Sequence, residues 1–112
     1  MPDYHRKPMN HAQFCAAVAR FQELWPGGVK NSGWRSEEWN EKVGADSDSK
    51  HLAGTPLKPI ACDIDYNPDP DRETQYQMNH DARVIGLWGL YHKGHMHLQG
   101  LPIGTVPDGW EP

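Results

Sequence analysis

The sequence predicts an α+β fold in which helices pack on one face of a small antiparallel sheet. Apolar residues recur with helical spacing early in the chain, whereas short strand-like segments separated by tight turns occupy its last third. A length of 112 residues is enough for one modest core. We therefore expect a single domain that spans residues 1–112.

The first predicted element is an amphipathic helix from Asn10 to Trp25. Asn10 suits the N-cap position because its side-chain oxygen can accept a hydrogen bond from the first turn. The run Pro26-Gly27-Gly28 ends the helix. The residues expected on its apolar side are Phe14, Ala17, Val18, Phe21, Leu24 and Trp25.

A second, shorter helix is expected after Ser36, whose hydroxyl can cap the first turn, and Gly44 ends it. Residues 45–50 are predicted to form a polar loop. The first strand is predicted from Ile60 to Asp65, after a loop from Thr55 to Pro59 that is bracketed by proline.

A third helix is expected from Asp69 and Pro70 to about Asn79. Two further strands, Val84 to Tyr91 and Gly94 to Leu98, are predicted to be joined by a tight turn at residues 92–94. A tail rich in proline and glycine follows them.

Charge and hydropathy exclude two classes of partner. The net charge is −4, with acidic and basic residues interspersed, so the chain lacks the positive field that binds nucleic acid. No apolar run approaches the ~20 residues of a membrane helix, and the N-terminus lacks the pattern of a signal peptide. We expect a monomer that is made as a soluble cytoplasmic protein.

The two cysteines are predicted to be free thiols. Cys15 falls in the first helix and Cys62 in a strand, so two buried thiols fit the pattern better than a disulfide framework.

Several polar side chains fall on common strand faces, where they could meet a cation. Side chains two residues apart point the same way in a strand, so His95 and His97 project together, opposite Met96. By the same rule Asp63 and Asp65 share a face. Either pattern alone is more typical of an exposed strand or a solvated edge than of a metal site.

A third ligand could come from His51 across the intervening loop. Two imidazoles and one carboxylate around a cation leave a fourth position open, which is the composition of a catalytic zinc site. The remaining histidines are predicted to be surface residues: His5, His11, His80 and His92.

Four ordered motifs resemble the zinc D-alanyl-D-alanine carboxypeptidases, known as peptidase family M15. They are Ser32 to Asn40, Val43-Gly44, Ser49 to Gly54 and Ala61 to Ile64. The order of the motifs agrees across about residues 30–100. The resemblance implies the fold that these peptidases share with the signalling domain of hedgehog proteins.

The resemblance also implies roles for individual residues. It assigns His51, Asp63 and His97 as the ligands of one Zn²⁺ ion, and Arg35 as the residue that holds a carboxylate or carbonyl of the peptide. Ser49 would hydrogen-bond near the site. Without the surrounding motif, Arg35 is better explained as one half of a surface salt bridge.

Further roles concern proton transfer and ligand orientation. His95 would stabilise the oxyanion or orient the attacking water, and Asp65 would be one acceptor for a ligand imidazole. The general base is left open by the sequence among Asp65, Glu37, Glu38 and His95.

The chain departs from the family pattern in two respects. Residues 55–60 are extra residues between the first two ligands, and a looped-out hairpin could absorb them. The acidic base that many members carry three residues before the last ligand is Gly94 here, and the acidic residue of an H-x-D branch is Gln99.

The resemblance predicts a zinc peptidase that cleaves peptidoglycan stem peptides or cross-links, as a D,D-carboxypeptidase or an endopeptidase. The small size of the chain is similar to that of phage or prophage endolysins, which act on the cell wall after release or as part of a virion. The absence of the usual base favours an alternative, a non-catalytic zinc-stabilised binding domain of the same fold. In a third hypothesis the histidines are incidental and the domain is structural.

Overall fold

The computed structural model describes residues 6–32, 36, 41–42, 50–104 and 106–112. Two complete α-helices, a short 3₁₀ helix and six strands occur in this part of the chain, and residues 41–42 are also helical. In order they are α1 (His11–Leu24), β1 (Val29–Ser32), the 3₁₀ helix Lys50–Leu52, β2 (Gly54–Thr55), β3 (Lys58–Pro59), β4 (Ala61–Asp65), α2 (Arg72–Ile85), β5 (Trp88–His92) and β6 (His95–Gln99).

Four of these strands form an antiparallel sheet with the order β1-β4-β6-β5. Its apolar face packs against both helices in a single buried cluster, to which the sheet contributes Cys62, Ile64, Tyr91, Met96 and Leu98. The predicted α+β class, with helices on one face of a small antiparallel sheet, is confirmed.

The first helix begins at the predicted cap. Asn10 Oδ1 accepts a hydrogen bond from Gln13 N at 2.9 Å, and the Gln13 side chain accepts one from Asn10 N at 2.9 Å. This capping box satisfies two N–H groups that the helix itself cannot pair. Four of the predicted apolar residues are buried, namely Phe14, Ala17, Val18 and Phe21. Leu24 was expected among them but is 53% exposed in the last turn.

The expected second helix after Ser36 lies mainly outside the described residues, as does most of the predicted loop at 45–50. Lys50, the last residue of that loop, is instead buried in the 3₁₀ helix. Residues 55–59 were predicted as a loop, but β2 and β3 pair there as a two-stranded hairpin. The extra residues are therefore accommodated in a hairpin.

The third predicted helix is displaced and longer than expected. It begins at Arg72, because Asp71 is the N-cap and accepts a hydrogen bond from Thr74 N at 2.8 Å. It continues to Ile85 and ends at Gly86, whose φ of 109° is left-handed. No glycine or proline interrupts residues 72–85, so the helix does not stop at Asn79.

The boundary of the following strand changes accordingly. Val84 belongs to the helix, and the strand begins only at Trp88. The predicted tight turn is present: Lys93 and Gly94 have positive φ angles of 50° and 82°, as a two-residue hairpin turn requires. It pairs His92 with His95 directly.

The cysteines only partly follow the prediction. Both are free and Cys62 is buried, but Cys15 is exposed because it lies outside the buried stripe of α1. His11, expected at the surface, is partly buried and its Nδ1 lies 2.7 Å from Pro59 O. In the described part of the chain, neither helix has the length and apolar character needed to cross a bilayer.

Candidate metal centre

The candidate site lies on the sheet face opposite the core. Strands β4 and β6 are neighbours, with Asp63 paired to His97 and Asp65 paired to His95. Because side chains alternate along a strand, the partners that face the core are Ile64 and Met96. The predicted common faces of the two strands are therefore present, and adjacent strands bring them together.

Asp63 lies between two imidazoles. His97 Nδ1 is 3.0 Å from Asp63 Oδ1, and His51 Nε2 is 3.3 Å from Asp63 Oδ2. One potential ligand atom from each of the three residues lies within 4.8 Å of the other two. His51 and Asp63 are buried, whereas 18% of the His97 side chain is exposed. The group could therefore hold a metal ion with one side open to solvent.

The position of His51 depends on the short 3₁₀ helix. Ala53 N donates to Lys50 O at 3.1 Å, which closes the turn. The buried Lys50 donates from Nζ to Gly104 O and so connects this turn to the C-terminal segment. Gly54, with φ of 82°, then starts the β2–β3 hairpin. His51 is therefore held from both sides by backbone structure.

The electrostatics of the site favour an ionised Asp63. Burial by itself would raise the pKa of this carboxyl group, but hydrogen bonds and charge from His51 and His97 lower it, and the net pKa lies well below its usual range. A carboxylate must be ionised to bind a cation. Asp63 is in that form at neutral pH.

His95 lies beside this group, as the shared strand face predicts. Its Nε2 is 3.7 Å from Asp63 Oδ1, and 28% of its side chain is exposed. It is thus placed at the rim of the site rather than at its base.

His92 is an additional residue of the site that the sequence interpretation missed. It is exposed, as predicted, but its ring centroid is 5.4 Å from that of His95 and 6.1 Å from that of His97. Partial desolvation by the neighbouring side chains lowers its pKa, and the charges of His97 and His95 lower it further. The predicted two-residue turn could have identified His92, because such a turn pairs residue 92 with residue 95 and places both side chains on one face of the sheet.

Gln99 has a contact that sequence reasoning also missed. Its Oε1 lies 2.6 Å from His97 Nε2, and its Nε2 donates to Leu101 O at 2.8 Å. Asp65, predicted as an acceptor for a ligand imidazole, accepts a hydrogen bond from Asn31 Nδ2 of strand β1. Among the described contacts, Gln99 is therefore the side chain that meets the outer nitrogen of His97.

Four residues with predicted roles lie outside the described part of the chain, and their roles stay predictions. They are Arg35, Glu37, Glu38 and Ser49.

Comparison with known protein families gives a match. A family model described as Peptidase M15 matches residues 5–99. The matched range contains His51, Asp63 and His97, together with every strand that surrounds them. No curated protein and no solved structure matches the chain.

Proposed function

The chain belongs to the peptidase M15 family, and on that premise we propose that it is a zinc-dependent peptidase. We propose that it cleaves peptidoglycan stem peptides or cross-links, as a D,D-carboxypeptidase or an endopeptidase. The observation that supports this proposal is the group of His51, Asp63 and His97, whose potential ligand atoms lie within 4.8 Å of one another.

The donor set fits zinc better than the common alkaline-earth ions. Mg²⁺ and Ca²⁺ prefer oxygen ligands, whereas zinc accepts imidazole nitrogen and carboxylate oxygen in tetrahedral sites. Two imidazoles and one carboxylate would occupy three of four positions. The partial exposure of His97 is consistent with a fourth position that faces solvent.

Zinc held in such a site supplies Lewis acidity, which lowers the pKa of a water ligand towards ~7 and polarises a peptide carbonyl. His95 would contribute a hydrogen bond from the rim of the site to the oxygen on which negative charge develops. Arg35 would hold the carboxylate of the peptide by a bidentate interaction, and Ser49 would assist in binding it. Asp65, Glu37, Glu38 and His95 are the candidate proton acceptors.

The setting that we propose is the lysis system or the virion of a phage or prophage, in which such an enzyme reaches the cell wall. The substrate in that setting is the peptide part of peptidoglycan.

The test combines zinc content with hydrolysis of purified peptidoglycan, followed by loss of turbidity and by mass spectrometry of released peptides. We expect one zinc per chain and hydrolysis for the wild type, and neither for His97→Ala. Arg35→Ala should retain zinc and lose hydrolysis. His80→Ala, which changes an exposed histidine of α2, is the matched control and should retain both.

A second candidate function is a non-catalytic, zinc-stabilised binding domain. It is favoured by position 94, a glycine in the β5–β6 turn, and by position 99, where an amide occupies the place of an acid. One zinc per chain with no released peptide would support this function and contradict the peptidase. Stoichiometric zinc in His97→Ala would contradict the ligand assignment in both cases.

A further inference from the structure

We propose that Gln99 is a positioning residue that fixes the orientation and the tautomer of His97, so that Nδ1 of this imidazole faces the metal position. The inference rests on the metal site of the proposed function and does not require that the chain cleave a peptide. It follows from three contacts of two neighbouring side chains.

The first contact is set by the strand. Gln99 lies two residues after His97 in β6, so both side chains project from the same sheet face. Gln99 is buried, with 8% of its surface exposed, and its Oε1 lies 2.6 Å from His97 Nε2. The two atoms are therefore within hydrogen-bonding distance.

The second contact determines which end of the amide meets the imidazole. Gln99 Nε2 donates to Leu101 O at 2.8 Å. Turning the amide over would place its carbonyl oxygen against the Leu101 carbonyl, and two acceptors cannot form a hydrogen bond. The backbone therefore holds the amide with its oxygen towards His97.

The third contact joins His97 Nδ1 to Asp63, and the first two contacts determine which nitrogen of His97 carries the hydrogen. Because Gln99 Oε1 can only accept, His97 Nε2 must carry a hydrogen and donate it. The nitrogen left to meet a cation is then Nδ1, which lies 3.0 Å from Asp63 Oδ1; a cation bound there would replace the hydrogen that Nδ1 otherwise donates to Asp63. Leu101, Gln99 and His97 thus form a chain that directs Nδ1 into the group of potential ligands.

Gln99 orients His97 without adding a charge next to Asp63. A glutamate at this position would also accept from His97 Nε2, but it has no N–H to donate to Leu101 O. Gln99→Glu therefore preserves the interaction with the ligand and removes the one with the backbone. Gln99→Leu has a similar size and removes both.

The experiment measures the zinc dissociation constant by chelator competition for the wild type, Gln99→Glu and Gln99→Leu. We expect Gln99→Leu to weaken zinc binding by about 10- to 100-fold, the usual effect of losing such a partner. Gln99→Glu should bind zinc at least as tightly as the wild type although it is less stable to denaturant. Gln77→Leu, which replaces an exposed glutamine of α2, should behave as the wild type.

Nitrogen chemical shifts of the His97 ring in the zinc-bound wild type give a readout that needs no variant to fold. We expect zinc on Nδ1 and hydrogen on Nε2, and the reverse assignment would overturn the inference. It would also be overturned if folded Gln99→Leu bound zinc with wild-type affinity, or if Gln99→Glu lost affinity to the same extent. A wild type that binds zinc but releases no peptide contradicts only the peptidase, whereas one that binds no zinc contradicts both proposals.

Discussion

The two oxygens of the Asp63 carboxylate face different imidazoles, at 3.3 Å from His51 and 3.0 Å from His97. Removing one partner of a buried ion pair usually costs more folding stability than the intact pair contributes, because the remaining charge stays buried without its partner. Asp63, His51 and His97 therefore depend on one another before any cation is considered.

The two thiols of the chain should differ in reactivity at pH 8. Cys15 is exposed, whereas Cys62 is 3% exposed and burial raises its pKa to about 12. Iodoacetamide attacks the thiolate, so native protein should be alkylated once and denatured protein twice. Native Cys15→Ser should take up no label in the same period; substantial label on Cys62 would contradict the buried position.

The same thiol makes stability depend on alkaline pH. Burial raises the pKa of Cys62 from 9.0 to about 12, against a smaller lowering by Lys30. Below pH 9 the Cys62 thiol keeps its proton in both the folded and the unfolded chain. Above pH 9 the unfolded chain releases this proton first, so the free energy of unfolding falls as pH rises towards 12. Urea unfolding from pH 8 to 11 should show this decline.

The decline should be shallower in Cys62→Ala, by at most about 1.4 kcal/mol per pH unit for one group. Burial also raises the pKa of Tyr66 to about 12, so some dependence should remain in that variant. Parallel curves for the variant and the wild type would contradict the role of Cys62.

The faces of single side chains in β4 and β6 could be predicted because the two-residue repeat of a strand is a local property. The roles of His92 and Gln99 could not be predicted in this way. His92 reaches the site through pairing across a turn, and Gln99 through a contact with Leu101 that depends on the path of the chain after β6. Both require tertiary structure.

The β2–β3 hairpin contains most of the extra residues 55–60 and lies in sequence between two candidate ligands, His51 and Asp63. It starts at Gly54, three residues after His51, and ends at Pro59, so that only Ile60 separates it from β4. Its first residue has φ of 82°, and a Cβ atom there would lie 2.3 Å from Lys58 O. The hairpin therefore requires glycine at this position.

Gly54→Ala should destabilise the fold and weaken zinc binding. Gly27→Ala is a matched control, since Gly27 has φ of 91° but a Cβ there would meet nothing within 4 Å. Both variants incur the cost of a left-handed alanine, about 1–2 kcal/mol, and Gly54→Ala adds a clash with backbone. Urea unfolding and zinc competition should show a larger loss of stability for Gly54→Ala and loss of affinity in that variant alone. Equal effects of the two substitutions on affinity would contradict a role of the hairpin in placing His51.

The ends of the elements were less predictable than their existence. Four consecutive residues before α2 include two prolines and two potential caps, and only the packed structure shows that Asp71 is the cap. The helix α2 continues past Asn79, where the sequence predicts its end, and the buried Asn79 side chain accepts a hydrogen bond from Tyr91 N at 2.7 Å. A tertiary contact thus explains a polar residue inside the helix.

Across the fold, the candidate ligands come from three separate elements: the 3₁₀ helix, β4 and β6. A cation bound by all three would bind the folded chain and not the unfolded one. Its binding free energy would therefore add to the free energy of unfolding.

Zinc should raise the unfolding temperature. At a free concentration of 100 times the dissociation constant the gain is about 2.7 kcal/mol, or on the order of 10 °C for a chain of this size. Calorimetry in chelator and in buffered zinc should show this difference for the wild type and none for Asp63→Ala. An equal shift in both proteins would indicate binding elsewhere.

The α+β class was predictable from the sequence, whereas the strand order β1-β4-β6-β5 was not. Alternation and turn residues are local, but the placement of β6 between β4 and β5 depends on contacts between distant segments. The ordered motifs supplied what periodicity could not, namely which histidines belong with Asp63. The family match over residues 5–99 agrees with that resemblance.

The alternation of Asp63 with Ile64, and of Met96 with His97, limits how this chain can change length over evolutionary time. Deleting one residue within β4 or β6 would turn every side chain beyond the deletion to the opposite face of the sheet. Apolar side chains would then be exposed to solvent, and the imidazoles would point into the core. Length changes are tolerated where no such alternation must be kept. The extra residues of this chain lie in the β2–β3 hairpin, outside both strands, where variation leaves the order of inward and outward groups intact.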